Sequence, residues 1–289
     1  MAELLYCAIP VFLGLLALEA VASARALPPG FKGYEWRDTW ASLSLGLANV
    51  LLSLAGKVLA VGLWSAAYEL SPLDMGTGWL AWLLLFPLED LCYYAFHRAH
   101  HEIRFFWAAH VNHHSSRHYN LSTALRQSWT TPFTGPWFWV PLALLGFHPA
   151  MILTAQAVSL IYQFWIHTEW IGRLGPFEAL FNTPSHHRVH HGRNVQYLDR
   201  NYAGIWIVWD RVFGSFEPEG ERVDYGLTKN LQSFHPIAIA FHEWRDMLRD
   251  ALAAPDWRTS LRHLLRPPGW SPDGSSLTAR ELQALRAQA

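Results

Sequence analysis

Three short histidine runs, HRAHH (97–101), HVNHH (110–114) and HHRVHH (186–191), and a separate His167 hold the densest potential chemistry in this chain. Imidazole is a neutral ligand suited to iron and zinc. On a helix, a spacing of three or four residues returns a side chain to the same face. His97/His101, His110/His113/His114 and His187/His190/His191 all have that spacing. One such histidine reads as a hydrogen-bonded core or surface residue, whereas three spaced clusters read as a metal site. Nine or ten imidazoles exceed the roughly four to six ligands of a single ion and suit two. A shell poor in carboxylates leaves the ions strongly positive, which favours binding of water and reduced oxygen species. Oxygen chemistry then needs a redox metal, so two Fe ions are expected, with Zn able to fill the same nitrogen shell in purified protein.

Other polar residues read as supports. Asp90, Tyr94, His97 and His101 fall at steps of four, three and four on one helical stripe. Asp90 is therefore expected to accept the second ring N–H of a ligand histidine. The alternative for Asp90 and its neighbour Glu89 is an ion pair with Arg98 or Arg104. Asn120, Arg126 and Gln127 follow the second cluster and could bond a histidine or a substrate head group, a solvated loop being the alternative. Asn182 to Ser185 suits helix capping. Trp206 and Trp209 to Arg211 read as interfacial packing, His100 as a surface residue off the ligand stripe, and His235, His242 and His263 as structural. Cys7 and Cys92 lie in apolar runs and read as small hydrophobes.

The elements that must carry these residues are apolar. The 289 residues are 51% hydrophobic with 16 tryptophans, and the net charge of −1 gives no global basic field for nucleic acid. Leu4 to Ala24 is long enough to cross a bilayer, and the first basic residue, Arg25, follows it, which predicts an anchor rather than a cleaved leader. Further spans are expected at about 39–63 and 78–96, with a short hairpin from 133–145 and 149–166. Arg25, Lys32 and Arg37 lie between the first two spans, while the 64–77 loop has Glu69 and Asp74 but no Lys or Arg. The positive-inside rule then puts every histidine cluster at the cytoplasmic face. The expectation is an all-α integral membrane protein with four to five membrane-embedded helices and a cytoplasmic histidine-rich cap. It forms a single domain over 1–289 with its catalytic core at about 78–215. An apolar cleft from the bilayer is expected, lined by Tyr93, Tyr94, Phe164 and Trp165.

The histidine order resembles that of the fatty acid hydroxylase and sterol desaturase superfamily. The stretches FPLEDLCYYAFHRAHHEIRFFWAAHVNHHSS (86–116), YNLSTALRQS (119–128), QFWIHTEWIG (163–172), NTPSHHRVHHGRN (182–194) and NYAGIWIVWDRVFGSFEPE (201–219) are similar to its alkylglycerol monooxygenase branch. That resemblance implies a metal shell of His97, His101, His110, His113, His114, His167, His187, His190 and His191, with His186 as a tenth candidate. Arg117 stands where the branch carries an acid, and is expected to face solvent. The implied activity is O2-dependent hydroxylation of an aliphatic C–H on a lipid from the bilayer, an alkylglycerol-type ether lipid or, alternatively, a sterol or fatty acyl chain undergoing hydroxylation or desaturation. No nucleotide- or haem-binding segment is present in the sequence, so a separate electron donor is implied, a tetrahydropterin or a cytochrome or ferredoxin. A zinc hydrolase would work without O2 or reductant. A metal transporter would place ionisable residues along a path through several spans.

Overall fold

The computed structural model describes residues 2–288, with side chains from residue 7 onward. Every regular element among them is helical, apart from one isolated antiparallel bridge between Gly192 and Tyr225. Three long helices come first: α1 (Ala2–Arg25), α2 (Trp36–Glu69) and α3 (Trp79–Glu102). A string of short pieces follows, α4 (Arg104–Ala108), α5 (Val111–His114), α6 (Leu121–Ala124), α7 (Thr131–Thr134), a 3-10 turn (Pro136–Trp139) and α8 (Val140–Leu144). Then come α9 (Pro149–Trp165), α10 (Pro184–His190), α11 (Val208–Val212), α12 (Pro236–Leu252), α13 (Trp257–Leu265) and α14 (Ala279–Gln288).

Among the described residues only α1 and α2 are long and apolar enough to cross a membrane, which corrects the expected four to five membrane-embedded helices. The physical reasons are local. In α3 the apolar run is broken by Glu89 and Asp90, both buried within the protein. At 17 residues, α9 rises about 25 Å, short of a hydrocarbon core of about 30 Å. The 131–145 stretch holds five prolines and glycines with its neighbours and folds as three short turns rather than one rod. Along α2, Leu47, Leu51, Leu54 and Val58 stay exposed, a face suited to lipid.

The apolar core lies between α2, α3, α8 and α9, around Trp64, Leu85, Trp139, Leu142, Phe147 and Ile152. α1 packs on α9 in a separate cluster, with Phe12 stacked on Phe164 beside Leu121 and Ala124. Glu19, the one charge within the apolar run of α1, turns inward. It accepts hydrogen bonds from the Leu121 backbone N–H and from the hydroxyls of Tyr34 and Thr168. That satisfies a carboxylate whose burial alone would be costly, and it fixes α1 to the polar end of the molecule.

At that end a buried guanidinium ties α2 to the second histidine run. Arg126 donates to Asn112 O, Ser115 Oγ and Ser42 Oγ, and pairs with Asp38 at 3.4 Å. Asp38 also accepts from Ser116 Oγ at 2.5 Å. Residues 112–116 are thereby held against the first turns of α2.

Candidate metal centre

The histidines converge from four directions. α3 supplies His97 and His101 on successive turns, and His110, His113 and His114 come from α5 and the residue before it. His167 follows the C-terminus of α9, and α10 with the residue after it supplies His187, His190 and His191. Two groups result: His97, His101, His110, His114 and His190, and His113, His167, His187 and His191. In each, one ring nitrogen per residue lies within 4.8 Å of all the others. The groups adjoin, since the His114 and His191 rings stack at 4.4 Å and the His113 and His191 rings meet at 4.6 Å.

Which nitrogen faces inward is set by the other one. Nδ1–H of His97 donates to Tyr202 O at 2.8 Å, that of His167 to Gln163 O at 2.7 Å, that of His190 to Arg200 O at 2.9 Å and that of His113 to Arg126 O at 3.3 Å. A carbonyl can only accept, so a neutral ring bonded this way carries a bare lone pair at Nε2. Yet Nε2 of His113 and Nε2 of His167 lie 3.2 Å apart. Two facing lone pairs repel unless a cation lies between them. Neighbouring ligands each about 2.1 Å from one ion, at close to a right angle, have this separation. The same spacing recurs as 3.1 Å from His97 to His110, 3.1 Å from His110 to His114, 3.0 Å from His167 to His187 and 3.2 Å from His187 to His191. Nε2 of His101 and Nε2 of His190 are buried without a hydrogen-bond partner. The two clusters are therefore capable of coordinating a di-metal centre, and their donor set fits iron.

Burial, reinforced by the neighbouring histidines, holds His97, His101, His110, His114, His187 and His191 well below the usual imidazole range. Burial beside Arg126 depresses His113 to about 4. The rings are thus neutral near pH 7, the state a metal requires.

The remaining expected residues lie elsewhere. His186 belongs to neither cluster; its ring packs on Phe216, and its Nε2 lies 4.0 Å from Glu178. His100 is buried rather than at the surface, bonded to Phe96 O and Thr134 Oγ1. Arg117 is exposed, as expected. Asn120 bonds no histidine: it caps α6 through Ser122 N–H and donates to Gly33 O. Asp90 also differs from expectation. Its carboxylate accepts from Ile205 N–H at 2.7 Å, Trp206 N–H at 3.0 Å and Trp209 Nε1–H at 3.1 Å. The sequence stripe gives the correct face of α3, but the 201–206 loop lies between Asp90 and the ligands and takes up its acceptor capacity.

Two further residues emerge only in three dimensions. Asp210, fully buried, accepts from the N–H groups of Tyr202 and Ala203 at 2.8 Å each and from Ser215 Oγ at 2.6 Å. Together with Asp90 it clamps the loop whose carbonyls orient His97 and His190. Asp199 faces Nδ1 of His101 at 3.4 Å from a left-handed conformation, φ 55°. Asn201, two positions on and also left-handed at φ 56°, is held by His186 O and Glu217. A lone Asp before Arg200 carries no sequence signal; Asp210 lay within the Trp209–Arg211 segment, which reads from sequence as interfacial packing.

This geometry defines a class, the membrane-associated proteins that hold a metal pair in a histidine shell. The chain belongs to the fatty acid hydroxylase and sterol desaturase superfamily, on the side of the alkylglycerol monooxygenases. The fatty acid hydroxylase family pattern matches residues 82–215, which contain every clustered histidine. The alkylglycerol monooxygenase of Homo sapiens is 45% identical over 241 residues, covering 81% of this chain and 53% of that protein. The Danio rerio protein of the same name is 44% identical over 238 residues, covering 81% and 52%. The ornithine lipid hydroxylase of Rhizobium tropici is 31% identical over 138 residues, covering 47% and 42%. The chain thus spans about half the length of the curated relatives it matches. No solved structure matches it.

Proposed function

We propose that the chain is a di-iron oxidoreductase that hydroxylates an aliphatic C–H bond of a membrane lipid, an alkylglycerol-type ether lipid being the favoured substrate. The facing Nε2 lone pairs of His113 and His167 carry the reading, because that arrangement is stable only around a cation. Iron, when bound, supplies the reductive activation of O2. Hydroxylation then consumes one O2, two electrons and two protons, placing one oxygen in the product and one in water. The residues that would hold the ions are the nine clustered histidines; the four-histidine group leaves more of an ion's coordination open than the five-histidine group.

The chain's own contribution is to orient these rings. Tyr202 O and Arg200 O aim His97 and His190, and the Asp90 and Asp210 carboxylates hold the loop bearing those carbonyls. A cleft of about 240 Å³ between α2, α3 and α9 supports delivery of an alkyl chain; its walls include Trp64, Tyr93, Phe96, Trp139, Ala157 and Leu160. Tyr93 and Phe96 separate it from the histidines, the Tyr93 ring lying 5.3 Å from that of His97. Of the expected lining, only Tyr93 takes part: Tyr94 stacks on Phe213, Phe164 on Phe12, and Trp165 meets Tyr162. The distribution of basic residues supports a cytoplasmic site; a separate donor, a tetrahydropterin or a cytochrome or ferredoxin, would supply the electrons.

Iron-loaded membranes should be incubated under 18O2 with ether lipids, sterols and free fatty acids, with and without tetrahydropterin, and the products analysed by mass spectrometry. One labelled oxygen in an ether-lipid product, or in the aldehyde released from it, is the expected result. Turnover that persists without O2 and reductant would instead indicate hydrolysis and overturn the reading.

A further inference from the structure

The α12–α13 hairpin leaves uncovered a surface that the metal site does not explain. On α12, Ile237, Phe241, Leu248 and Leu252 are exposed, Leu252 to 85%. At 100° per residue they fall within about 60° of arc, a single stripe. α13 continues it with Trp257, 71% exposed, Leu261 and Leu265. The flanking charge is basic. Arg245 and Arg249 pair with Asp246 and Asp250, whereas Arg258, Arg262 and Arg266 are exposed and make no salt bridge among the described residues.

The height of this hairpin is fixed by what it packs on. Ile239 and Ala240 of α12 bury against Ala41 and Leu45 of α2, and Phe241 meets Trp129. Exposed Trp36 and Trp40 lie just before that contact on α2, and exposed Leu47, Val50 and Leu51 just after it. Tryptophans followed by an apolar face mark the level at which a spanning helix leaves the bilayer. Next to the end of α3, Arg104 of α4 binds Glu243 and Asp250 of α12. The hairpin therefore lies across the corresponding ends of α2 and α3, its apolar stripe continuous with the lipid-facing side of α2.

We propose that the α12–α13 hairpin binds the surface of an anionic bilayer. The apolar stripe enters the boundary between headgroups and acyl chains, and Arg258, Arg262 and Arg266 meet lipid phosphates. A Trp- and Leu-bearing face with flanking arginines has the composition of an interfacial helix, and unpaired cations distinguish acidic lipid from a second copy of this near-neutral chain. The opposite side of α12 gives the docking a consequence. His242, Glu243, Asp246 and Asp250 wall a cavity of about 580 Å³ whose floor includes His101, His114, His190 and His191. Lipid contact on one side of α12 thus sets the position of a wall over the metal centre. This assignment does not depend on the reaction proposed above.

The test uses the full chain reconstituted in phosphatidylcholine vesicles with and without phosphatidylglycerol, with Cys7 and Cys92 replaced by alanine. Spin labels are placed through Leu252→Cys, Trp257→Cys and Leu261→Cys, with Ser275→Cys as an aqueous control. Oxygen collision with nickel-chelate shielding is expected at the first three sites, strengthened by phosphatidylglycerol, while position 275 stays nickel-accessible. Replacing Arg258, Arg262 and Arg266 together by glutamine should shift the docked fraction about a hundredfold, at about 1 kcal/mol per basic residue. Nickel-accessible labels at 252 and 257 in both vesicle types overturn the proposal. So does shielding from both reagents that grows with protein density, which would mark contact between copies.

Discussion

A ring whose Nδ1–H is committed to a carbonyl has one lone pair left to give, and His97, His113, His167 and His190 are all in that position. Removing one of these nitrogens weakens an ion's shell, whereas His186 contributes to neither cluster. His167→Gln or His187→Gln should therefore lose about half of the bound iron, and His186→Gln should keep it; elemental analysis of purified protein distinguishes the two outcomes. Equal loss in all three variants would remove the distinction between the clusters and His186. The same logic applies to Asp90, which acts through backbone rather than through a ring. An amide in its place keeps one acceptor oxygen and turns an NH2 toward Ile205 N–H or Trp206 N–H. Asp90→Asn should then reduce metal retention about 10–100-fold, comparable to the loss of an outer partner of a ligand. Unchanged iron content and activity would show that the loop aligns His97 without it. The ligand histidines were legible because helical periodicity is local. The carbonyls that select their tautomers were not, because nothing in the local spacing pairs Tyr202 with His97, 105 residues away, or Arg200 with His190, 10 residues away.

The second histidine run is short of helix: α5 has four residues and cannot hold its own geometry by backbone bonding alone. Its shape comes from Arg126 and Asp38, buried together with the hydroxyls of Ser42 and Ser115. Breaking a buried pair by removing one partner costs about 3–5 kcal/mol, because the other charge is left unpaired. Arg126→Met should lower the unfolding temperature in detergent by several degrees and lower iron content with it, through displacement of the Arg126 carbonyl that faces His113. A variant of wild-type stability and iron content would reduce the guanidinium to a passive filler. The sequence showed Arg126 only as one member of a polar stretch, since its partner Asp38 is 88 positions away on α2. Element identity was easier to read than element role. The apolar run of α3 looks like a span until its acids are seen turned inward, Glu89 toward Trp139 and Asp90 toward the 205–209 segment.

Taken whole, the molecule puts a polar cavity and an apolar cleft on two sides of one cluster of histidines. The 580 Å³ cavity under α12 reaches His101, His114, His190 and His191, while the apolar cleft between α2, α3 and α9 ends at Tyr93 and Phe96, beside His97. Moving an alkyl chain through water would cost roughly 0.8 kcal/mol for each exposed CH2, so a lipid substrate of the kind proposed would be delivered most cheaply through the cleft. Small electrons and protons have no such constraint and suit the polar side. The cleft's capacity can be altered far from the metal. Ala157 lines it from α9, 3% exposed, where a large side chain has nowhere to go but the cleft itself. Ala157→Trp should leave iron content unchanged and lower kcat/KM for long-chain lipids more than tenfold, with a smaller loss for short-chain analogues. The contrast between chain lengths is the informative measurement, because overpacking of α9 would lower activity on both alike. Equal loss across chain lengths at normal iron content would place the alkyl chain outside this cleft, and an unaffected enzyme would direct attention to the polar cavity as the substrate's route.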